Sequence, residues 1–129
     1  MSVFIDASAF IAWEKGEFDL PAWAEARPDE PILFPPTAWQ ELLFGKFAWE
    51  KARAEKRGRF LAALAGLEVS DFGKPHAERA ARLAADLRRE SIGIADFQIA
   101  ACVLEEGAEL LTFNIAHFSR IPGLRLAKV

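Results

Sequence analysis

Residues 93–114 read GIADFQIAACVLEEGAELLTFN and contain a helix pattern followed directly by a strand pattern. The segment 95–106 is apolar on nearly every face, which predicts a buried helix. Gly107 stands at the position where a helix commonly ends, and residues 109–113 then form a predicted strand. A buried helix that leads into a short apolar strand is typical of domains in which helices cover a sheet.

Short apolar runs alternate with helical patterns along the rest of the chain. Residues 2–5 form such a run without alternation, which predicts a strand covered on both faces, as in a parallel sheet. Further predicted strands are 32–34, 67–72 and 124–127. Strands that alternate with helices predict an α/β fold, a three-layer α/β/α sandwich with a mainly parallel central sheet, built as one domain over residues 1–129.

The helices between these strands have recognisable start and stop signals. Thr37 is a good N-cap with Gln40 at the capping-box spacing, and Asp6 or Ser8 can cap the first helix. Gly45 predicts a break or bend in the helix that begins near Thr37, because glycine destabilises a helix interior. Gly58 predicts an interruption of the next helix for the same reason. The predicted helical segments are 9–13, 21–26, 37–43, 47–57, 60–67 and 76–90.

Composition limits the class of protein. The chain has 129 residues, of which 52% are hydrophobic and 27% charged, as in a soluble folded domain. No apolar run approaches the 18 or so residues of a membrane span, and the N-terminus lacks the features of a signal peptide. Cys102 is the only cysteine, which excludes an internal disulfide and a cysteine-based zinc site, and two histidines are too few for a His-rich one. We therefore expect a cytoplasmic protein with no membrane association.

The charges are unevenly distributed although the net charge is only −3. Residues 1–45 carry a net −6, whereas residues 46–59 carry a net +4. A basic segment in an acidic protein fits a phosphate group or an acidic partner. The alternative interpretation is an ordinary solvated helix face with Glu–Lys pairs.

Four polar residues break the local patterns. Asp6 ends an apolar strand, Glu41 lies in an otherwise apolar helix, Asp96 opens the most apolar helix and Asn114 follows a strand. Each alone has an ordinary structural interpretation as a cap, boundary or turn residue. Together they place carboxylates near the C-terminal ends of parallel strands, where ligands bind in such sheets. Carboxylates that converge need a cation, and hard oxygen ligands favour Mg²⁺ or Mn²⁺, which predicts metal-assisted phosphodiester cleavage.

These residues occur in motifs that resemble PIN-domain ribonucleases, specifically the VapC-like toxins of bacterial toxin–antitoxin pairs. The resemblance covers nearly the whole chain and is strongest towards the C-terminus. The motifs that carry it are VFIDAS (residues 3–8), WQELLFG (39–45), GIADFQIAA (93–101), GAELLTFN (107–114) and HFSRIPGL (117–124).

The resemblance implies an α/β/α fold and Mg²⁺- or Mn²⁺-dependent endoribonuclease activity, often on tRNA or other structured RNA. It also implies a cognate antitoxin that covers the site and usually a homodimer. Asp6, Glu41 and Asp96 match the three acidic metal-site residues. Thr112 and Asn114 match the end of the following strand, although many members have Asp at the position of Asn114. We predict that all four of Asp6, Glu41, Asp96 and Asn114 belong to the catalytic site.

Two neighbouring residues have alternative roles. Ser8 either orients a carboxylate or water, together with Thr112, or is an ordinary cap. His117, where many members have Asp, is expected to be a surface turn residue rather than a phosphate ligand. No side chain is an obvious general base, which predicts that a metal-activated water is the nucleophile.

The basic segment is the predicted contact for RNA or for the antitoxin. Interleaved aromatic residues could stack on bases or form a groove for an antitoxin helix. The candidate cations are Lys46, Lys51, Arg53, Lys56 and Arg57, and the aromatics are Trp39, Phe44, Phe47 and Trp49. Two further hypotheses stay open, a non-catalytic RNA- or protein-binding module and a metal-dependent nuclease that acts on DNA.

Overall fold

The structure is a computed structural model that describes all residues, Met1–Val129. Five strands and seven helices alternate along the chain. In order they are β1 (Val3–Ile5), α1 (Ala7–Glu14), α2 (Leu20–Glu25), β2 (Ile32–Phe34), α3 (Pro36–Ala48), α4 (Lys51–Ala63), β3 (Glu68–Val69), α5 (Lys74–Asp86), α6 (Ile94–Glu105), β4 (Glu109–Leu111), α7 (Ile115–Phe118) and β5 (Arg125–Leu126).

The strands form one sheet in the order β3-β2-β1-β4-β5, and every pairing is parallel. β1 lies at the centre, as its fully buried residues require. In the register of β1 with β4, Ile5 pairs with Leu111. The residues that follow, Asp6 and Thr112, therefore leave the sheet side by side.

Helices cover both faces of the sheet, which confirms the predicted three-layer α/β/α fold. Alternate residues of β1 face opposite layers, as the two-residue period of a strand requires. Val3 and Ile5 pack with α1, α2 and α4, whereas Phe4 packs with α6 and α7. α5 closes the second layer by packing on α6. No helix combines the length and the apolar character needed to cross a membrane.

The predicted start of α3 was wrong. The helix begins at Pro36 with Pro35 as its N-cap residue, and no side chain caps it. Proline is favoured in the first turn because its missing N–H needs no partner there. Thr37 lies inside the helix, and its hydroxyl donates to Oε1 of Gln98 at 3.0 Å. Its role is to link α3 to α6 rather than to cap a helix.

The predicted helix breaks at the two glycines were also wrong. α3 continues through Gly45 and α4 continues through Gly58. The chain instead turns at Trp49, and the carboxylate of Glu50 caps α4 by accepting from the backbone N–H of Ala52 and Arg53.

The two glycines differ in their surroundings. A Cβ atom on Gly45 would lie 2.8 Å from the Trp49 ring and 2.9 Å from Arg57 Nη1, so this glycine permits close packing of α3 on α4. A Cβ atom on Gly58 would have no heavy atom closer than 3.7 Å. Tertiary packing therefore explains Gly45, and nothing in the packing requires Gly58.

Other boundaries differ by a few residues from the predicted ones. β3 is only two residues long and exposed, and the helix predicted over 76–90 ends at Asp86. The predicted end of α6 is confirmed, since Gly107 has a φ of 62°, which glycine adopts without strain.

Candidate active site

The order of the strands places a crevice beside β1. The chain moves from β1 to β2 to β3 on one side, and then returns to place β4 and β5 on the other. Ligands of parallel α/β sheets bind at such a reversal, outside the C-terminal ends of the strands. Asp6 follows β1, and Thr112 and Asn114 follow β4, so all three lie at this point.

Asp6 is buried and held by several donors. Its Oδ1 accepts from the Ser8 hydroxyl at 2.6 Å and from the Ala9 backbone N–H at 3.2 Å, and its Oδ2 accepts from the Thr112 hydroxyl at 2.5 Å. The Ser8 hydroxyl in turn accepts from the Phe113 N–H at 2.8 Å. Ser8 and Thr112 therefore fix the orientation of the carboxylate, while Asp6 also caps α1.

Glu41 and Asp96 come to the same place from two helices. Glu41 is an exposed residue in the middle of α3, and Asp96 lies in the first turn of α6. They form the walls of a cleft of about 160 Å³, which we call the acidic cleft. Its lining residues are Asp6, Ala7, Ser8, Ile11, Glu41, Asp96, Ile99 and Asn114.

The electrostatics of the acidic cleft disfavour three ionised carboxylates. Burial raises the pKa of Asp6 above its ordinary value, although the hydrogen bonds from Ser8 and Thr112 oppose that rise. Although Glu41 as a whole is exposed, partial burial of its carboxyl group raises the pKa, and the negative charges of Asp6 and Asp96 raise it further. A positive charge in the cleft would relieve this repulsion.

His117 corrects the sequence interpretation. It lies on α7 rather than in a solvated turn, and its side chain is 38% exposed. Its Nδ1 lies 2.9 Å from Oδ2 of Asp96 and 3.0 Å from Nδ2 of Asn114. Nδ1 holds one proton at most, so it can donate to Asp96 or accept from Asn114, but not both at once. The imidazole therefore joins the two residues at the edge of the cleft.

The donor chemistry of the acidic cleft fits a hard divalent cation. Asp6, Glu41 and Asp96 offer carboxylate oxygens, and Asn114 adds an amide. No three Asp, Glu, His or Cys side chains stand close enough together to form a closed ligand set. The carboxylates instead surround the cleft as mutually repelling anions, and the exposed Glu41 has the long side chain that can move towards a cation.

The basic segment divides into exposed and buried residues. Lys46, Lys51, Arg53 and Lys56 are exposed, as a phosphate contact requires. Arg57 is buried, and its guanidinium binds the Glu14 carboxylate through two hydrogen bonds and the Leu42 carbonyl at 3.0 Å. The charge of Arg57 is therefore satisfied inside the fold, which disfavours the predicted contact of this residue with RNA or an antitoxin.

A groove of about 530 Å³ is lined by two of these exposed cations, Arg53 and Lys56, and it adjoins the acidic cleft at Glu41 and Ile11, which line both. Arg53 stacks on the Trp49 ring, 3.8 Å from its centroid, and Lys56 and Phe44 form further parts of the wall. Phe44 and Phe47 are 65% and 75% exposed, so this region carries apolar area that the fold does not bury. We call the groove of about 530 Å³ the basic groove.

Comparisons with known proteins identify the class to which this fold and site belong. Residues 3–124 match the PIN domain family, and the chain belongs to that family. It is similar to ribonuclease VapC1 of Rickettsia felis, with 30% identity over all of this chain and 97% of that protein. It is also similar to ribonuclease VapC of Rickettsia bellii, with 29% identity over all of this chain and 97% of that relative.

Solved structures agree with this assignment at the level of the fold. The structure of VapBC2 from Rickettsia felis, bound to a DNA fragment from its promoter, matches with a TM-score of 0.85 at 24% identity, over 98% of each chain. VapBC-5 from Mycobacterium tuberculosis, a member of the VapBC family of toxin–antitoxin systems, matches with a TM-score of 0.77 at 23% identity, over all of both chains.

Proposed function

We propose that the protein is a Mg²⁺- or Mn²⁺-dependent endoribonuclease that acts as the toxin of a toxin–antitoxin pair. The observation that carries this proposal is the acidic cleft, where Asp6, Glu41 and Asp96 meet from three separate elements at the reversal of the sheet. Relatives named ribonuclease VapC support RNA as the substrate. Fold neighbours described as toxin–antitoxin systems support a cognate antitoxin as the partner.

The three carboxylates would hold the cation, with the Asn114 amide as a neutral neighbour. A bound Mg²⁺ or Mn²⁺ supplies an activated water and stabilises the charge that develops on the phosphate. Ser8 and Thr112 keep the Asp6 carboxylate in one orientation, which lowers the cost of arranging the site.

No side chain in the acidic cleft is assigned as a general base. Its ionisable side chains are the three carboxylates, which the cation requires. The nearest imidazole, that of His117, is engaged with Asp96. The three carboxylates would hold the cation, which would supply the activation of water, and the chain would contribute the ligands and the substrate contacts.

The basic groove is the proposed contact for the RNA backbone. Arg53 and Lys56 line this groove and can bind phosphates, as can Lys46 and Lys51, which are exposed outside its lining. The exposed aromatics of the same segment can stack on bases. An antitoxin that covered the same groove would block access to the acidic cleft. The homodimer, tRNA as the target and the cytoplasmic location remain predictions.

The test is cleavage of total RNA by the purified protein, free of antitoxin, in Mg²⁺, in Mn²⁺ and in EDTA. Asp96→Asn removes a proposed ligand, and Glu78→Gln on α5 is the matched control, because Glu78 is exposed and does not line the cleft. We expect the wild type and Glu78→Gln to give discrete products with metal only. We expect Asp96→Asn to lose activity by ~10²-fold or more.

Two other outcomes of this cleavage assay would each favour a different function. Well-folded protein that binds RNA but cleaves none in either metal would favour the non-catalytic binding module. Equal cleavage of matched single-stranded DNA would favour a nuclease without preference for RNA.

A further inference from the structure

A second pocket, which we call the amide pocket, shares a wall with the acidic cleft. It has a volume of about 410 Å³, within the range of small-molecule sites. Its lining residues are Thr37, Gln40, Glu41, Phe44, Ala95, Asp96, Gln98 and Ile99. Glu41, Asp96 and Ile99 also line the acidic cleft, so a group bound here lies next to the proposed metal ligands.

The polar chemistry of the amide pocket suits a neutral group. Apart from the two carboxylates that it shares with the acidic cleft, its polar side chains are a hydroxyl and two amides, those of Thr37, Gln40 and Gln98. It contains no Lys, Arg or His, so a phosphate would find no cation of the chain there. A nucleobase is uncharged and has both donors and acceptors on its edge, which match amide side chains.

The amide of Gln98 is held in one orientation. Thr37 donates to Gln98 Oε1 at 3.0 Å, which leaves the amide N–H groups of Gln98 as donors for a bound group. Guanine, uracil and cytosine each have a carbonyl oxygen that can accept such a bond. Adenine has ring nitrogens that can accept the same N–H groups, so every base offers Gln98 an acceptor.

Phe44 provides the flat apolar surface that a base requires. Its side chain is 65% exposed and lines both the amide pocket and the basic groove. The basic groove contains Arg53 and Lys56, whereas the amide pocket contains no cation. The two recesses on either side of Phe44 therefore suit different parts of a nucleotide chain, the backbone in one and a base in the other.

We propose that the amide pocket receives the base of one unpaired nucleotide next to the cleaved bond. Gln98 donates to a carbonyl oxygen or ring nitrogen of that base, and Phe44 stacks on it. The proposal rests on the proposed ribonuclease function, since it names a base site beside the same carboxylates.

The test measures RNA binding separately from cleavage. Asp6→Asn disables the acidic cleft and leaves the lining of the amide pocket intact, because Asp6 does not line that pocket. Fluorescence anisotropy then compares hexauridine RNA with hexamers that carry one abasic ribose at each position in turn. We expect loss of the base at one position to weaken binding roughly 5-fold or more. Adding Gln98→Met, which keeps a side chain of similar volume, should reduce that difference by about twofold or more.

Two further variants serve as controls. Thr37→Val releases the Gln98 amide and should also reduce the difference between the hexamers, which gives a second test if Gln98→Met fails to fold. Lys56→Ala should weaken binding of all hexamers by a similar factor, as loss of a phosphate contact does.

The outcomes separate this proposal from the proposed nuclease activity. Equal binding of all hexamers, no binding of any, or a difference that neither Gln98→Met nor Thr37→Val reduces would overturn the amide pocket as a base site. Cleavage by the wild type alongside such a result leaves the nuclease standing. A difference between the hexamers that Gln98→Met reduces, in a protein whose wild type cleaves nothing, leaves the base site standing and overturns the nuclease.

Discussion

Replacing Arg57 by methionine removes one partner of a buried ion pair, and we expect a large loss of stability. The Arg57 side chain is 4% exposed and that of Glu14 is 11% exposed. The guanidinium makes two hydrogen bonds to the Glu14 carboxylate, with Nη2 at 2.7 Å from Oε1. It also lies over the rings of Trp49 and Phe10, 4.4 and 5.5 Å from their centroids. Methionine keeps part of this packing and removes the charge.

The magnitude follows from the charge that is left behind. Removing one member of a buried pair typically costs about 3–5 kcal/mol, because the remaining ion has lost both water and partner. Glu14 retains some contact with water, which favours the lower end of that range. For a chain of this size 1 kcal/mol corresponds to roughly 4 °C, so we expect the Tm to fall by about 10–15 °C.

The assay is thermal unfolding at pH 7 by circular dichroism for wild type, Arg57→Met, Glu14→Gln and the double variant. The double variant should melt above Arg57→Met alone, since Glu14→Gln removes the stranded charge. Arg59→Met is the matched control, because Arg59 is an exposed residue of the same helix and should change stability by less than about 0.5 kcal/mol.

One result would refute this reasoning. If Arg57→Met melted within about 2 °C of the wild type and instead weakened RNA binding as much as Lys56→Ala, Arg57 would be a surface cation, as the sequence suggests.

Three further predictions concern the site and the helix packing. Without divalent metal at pH 7, Glu41→Gln should raise the free energy of unfolding by about 1 kcal/mol or less, and with it the Tm. Because the pKa of Glu41 is raised in the folded protein, ionisation of this carboxyl lowers the stability of the fold. The gain from Glu41→Gln should therefore disappear as the pH falls to 4.5, the ordinary pKa of a glutamate. A gain that is unchanged at pH 4 would contradict this. Thr112→Val should lower the free energy of unfolding by about 1–3 kcal/mol and slow RNA cleavage, because the Thr112 hydroxyl donates to Asp6. Thr112→Ser keeps the hydroxyl and should restore both. Full activity of the valine variant would exclude this positioning role. Gly45→Ala should lower the free energy of unfolding by about 1–3 kcal/mol, because the added Cβ atom meets Trp49 and Arg57. Gly58→Ala should raise the free energy of unfolding by about 0.5–1 kcal/mol, since nothing lies close to that position. Thermal unfolding that ranks the two variants the other way would contradict the close packing of α3 on α4.

The sheet and the polar residues at its edge could be predicted because their signals are local. Val3–Ile5 and Glu109–Leu111 are short apolar runs that end in a polar residue, and parallel strands bring such ends together. The register that pairs Ile5 with Leu111 brings Asp6 beside Thr112, and this register comes from the structure rather than from the strand patterns.

The helix boundaries were less predictable because tertiary packing decided them. Gly45 resembles a helix breaker in the sequence, yet the approach of the Trp49 ring and Arg57 gives it a packing role inside α3. Pro36 was a stronger signal for the start of α3 than Thr37, since proline is favoured in the first turn.

The partners of charged residues could not be predicted, since they lie far away in the sequence. Arg57 pairs with Glu14, 43 positions earlier, and His117 contacts Asp96, 21 positions earlier. The sequence predicted a surface turn position for His117, and only the packing of α7 against α6 brings its ring to Asp96. Gln98 lies two residues after Asp96 in α6, and its side-chain amide accepts a hydrogen bond from Thr37 of α3.

The central claim is that Asp6, Glu41 and Asp96 form one divalent-cation site, and calorimetric titration of Mn²⁺ into the metal-free protein tests it most directly. We expect Glu41→Gln and Asp96→Asn each to weaken Mn²⁺ binding by about 10-fold or more, while Glu78→Gln binds Mn²⁺ as the wild type does. Binding of Mn²⁺ with wild-type affinity by both cleft variants would contradict the claim.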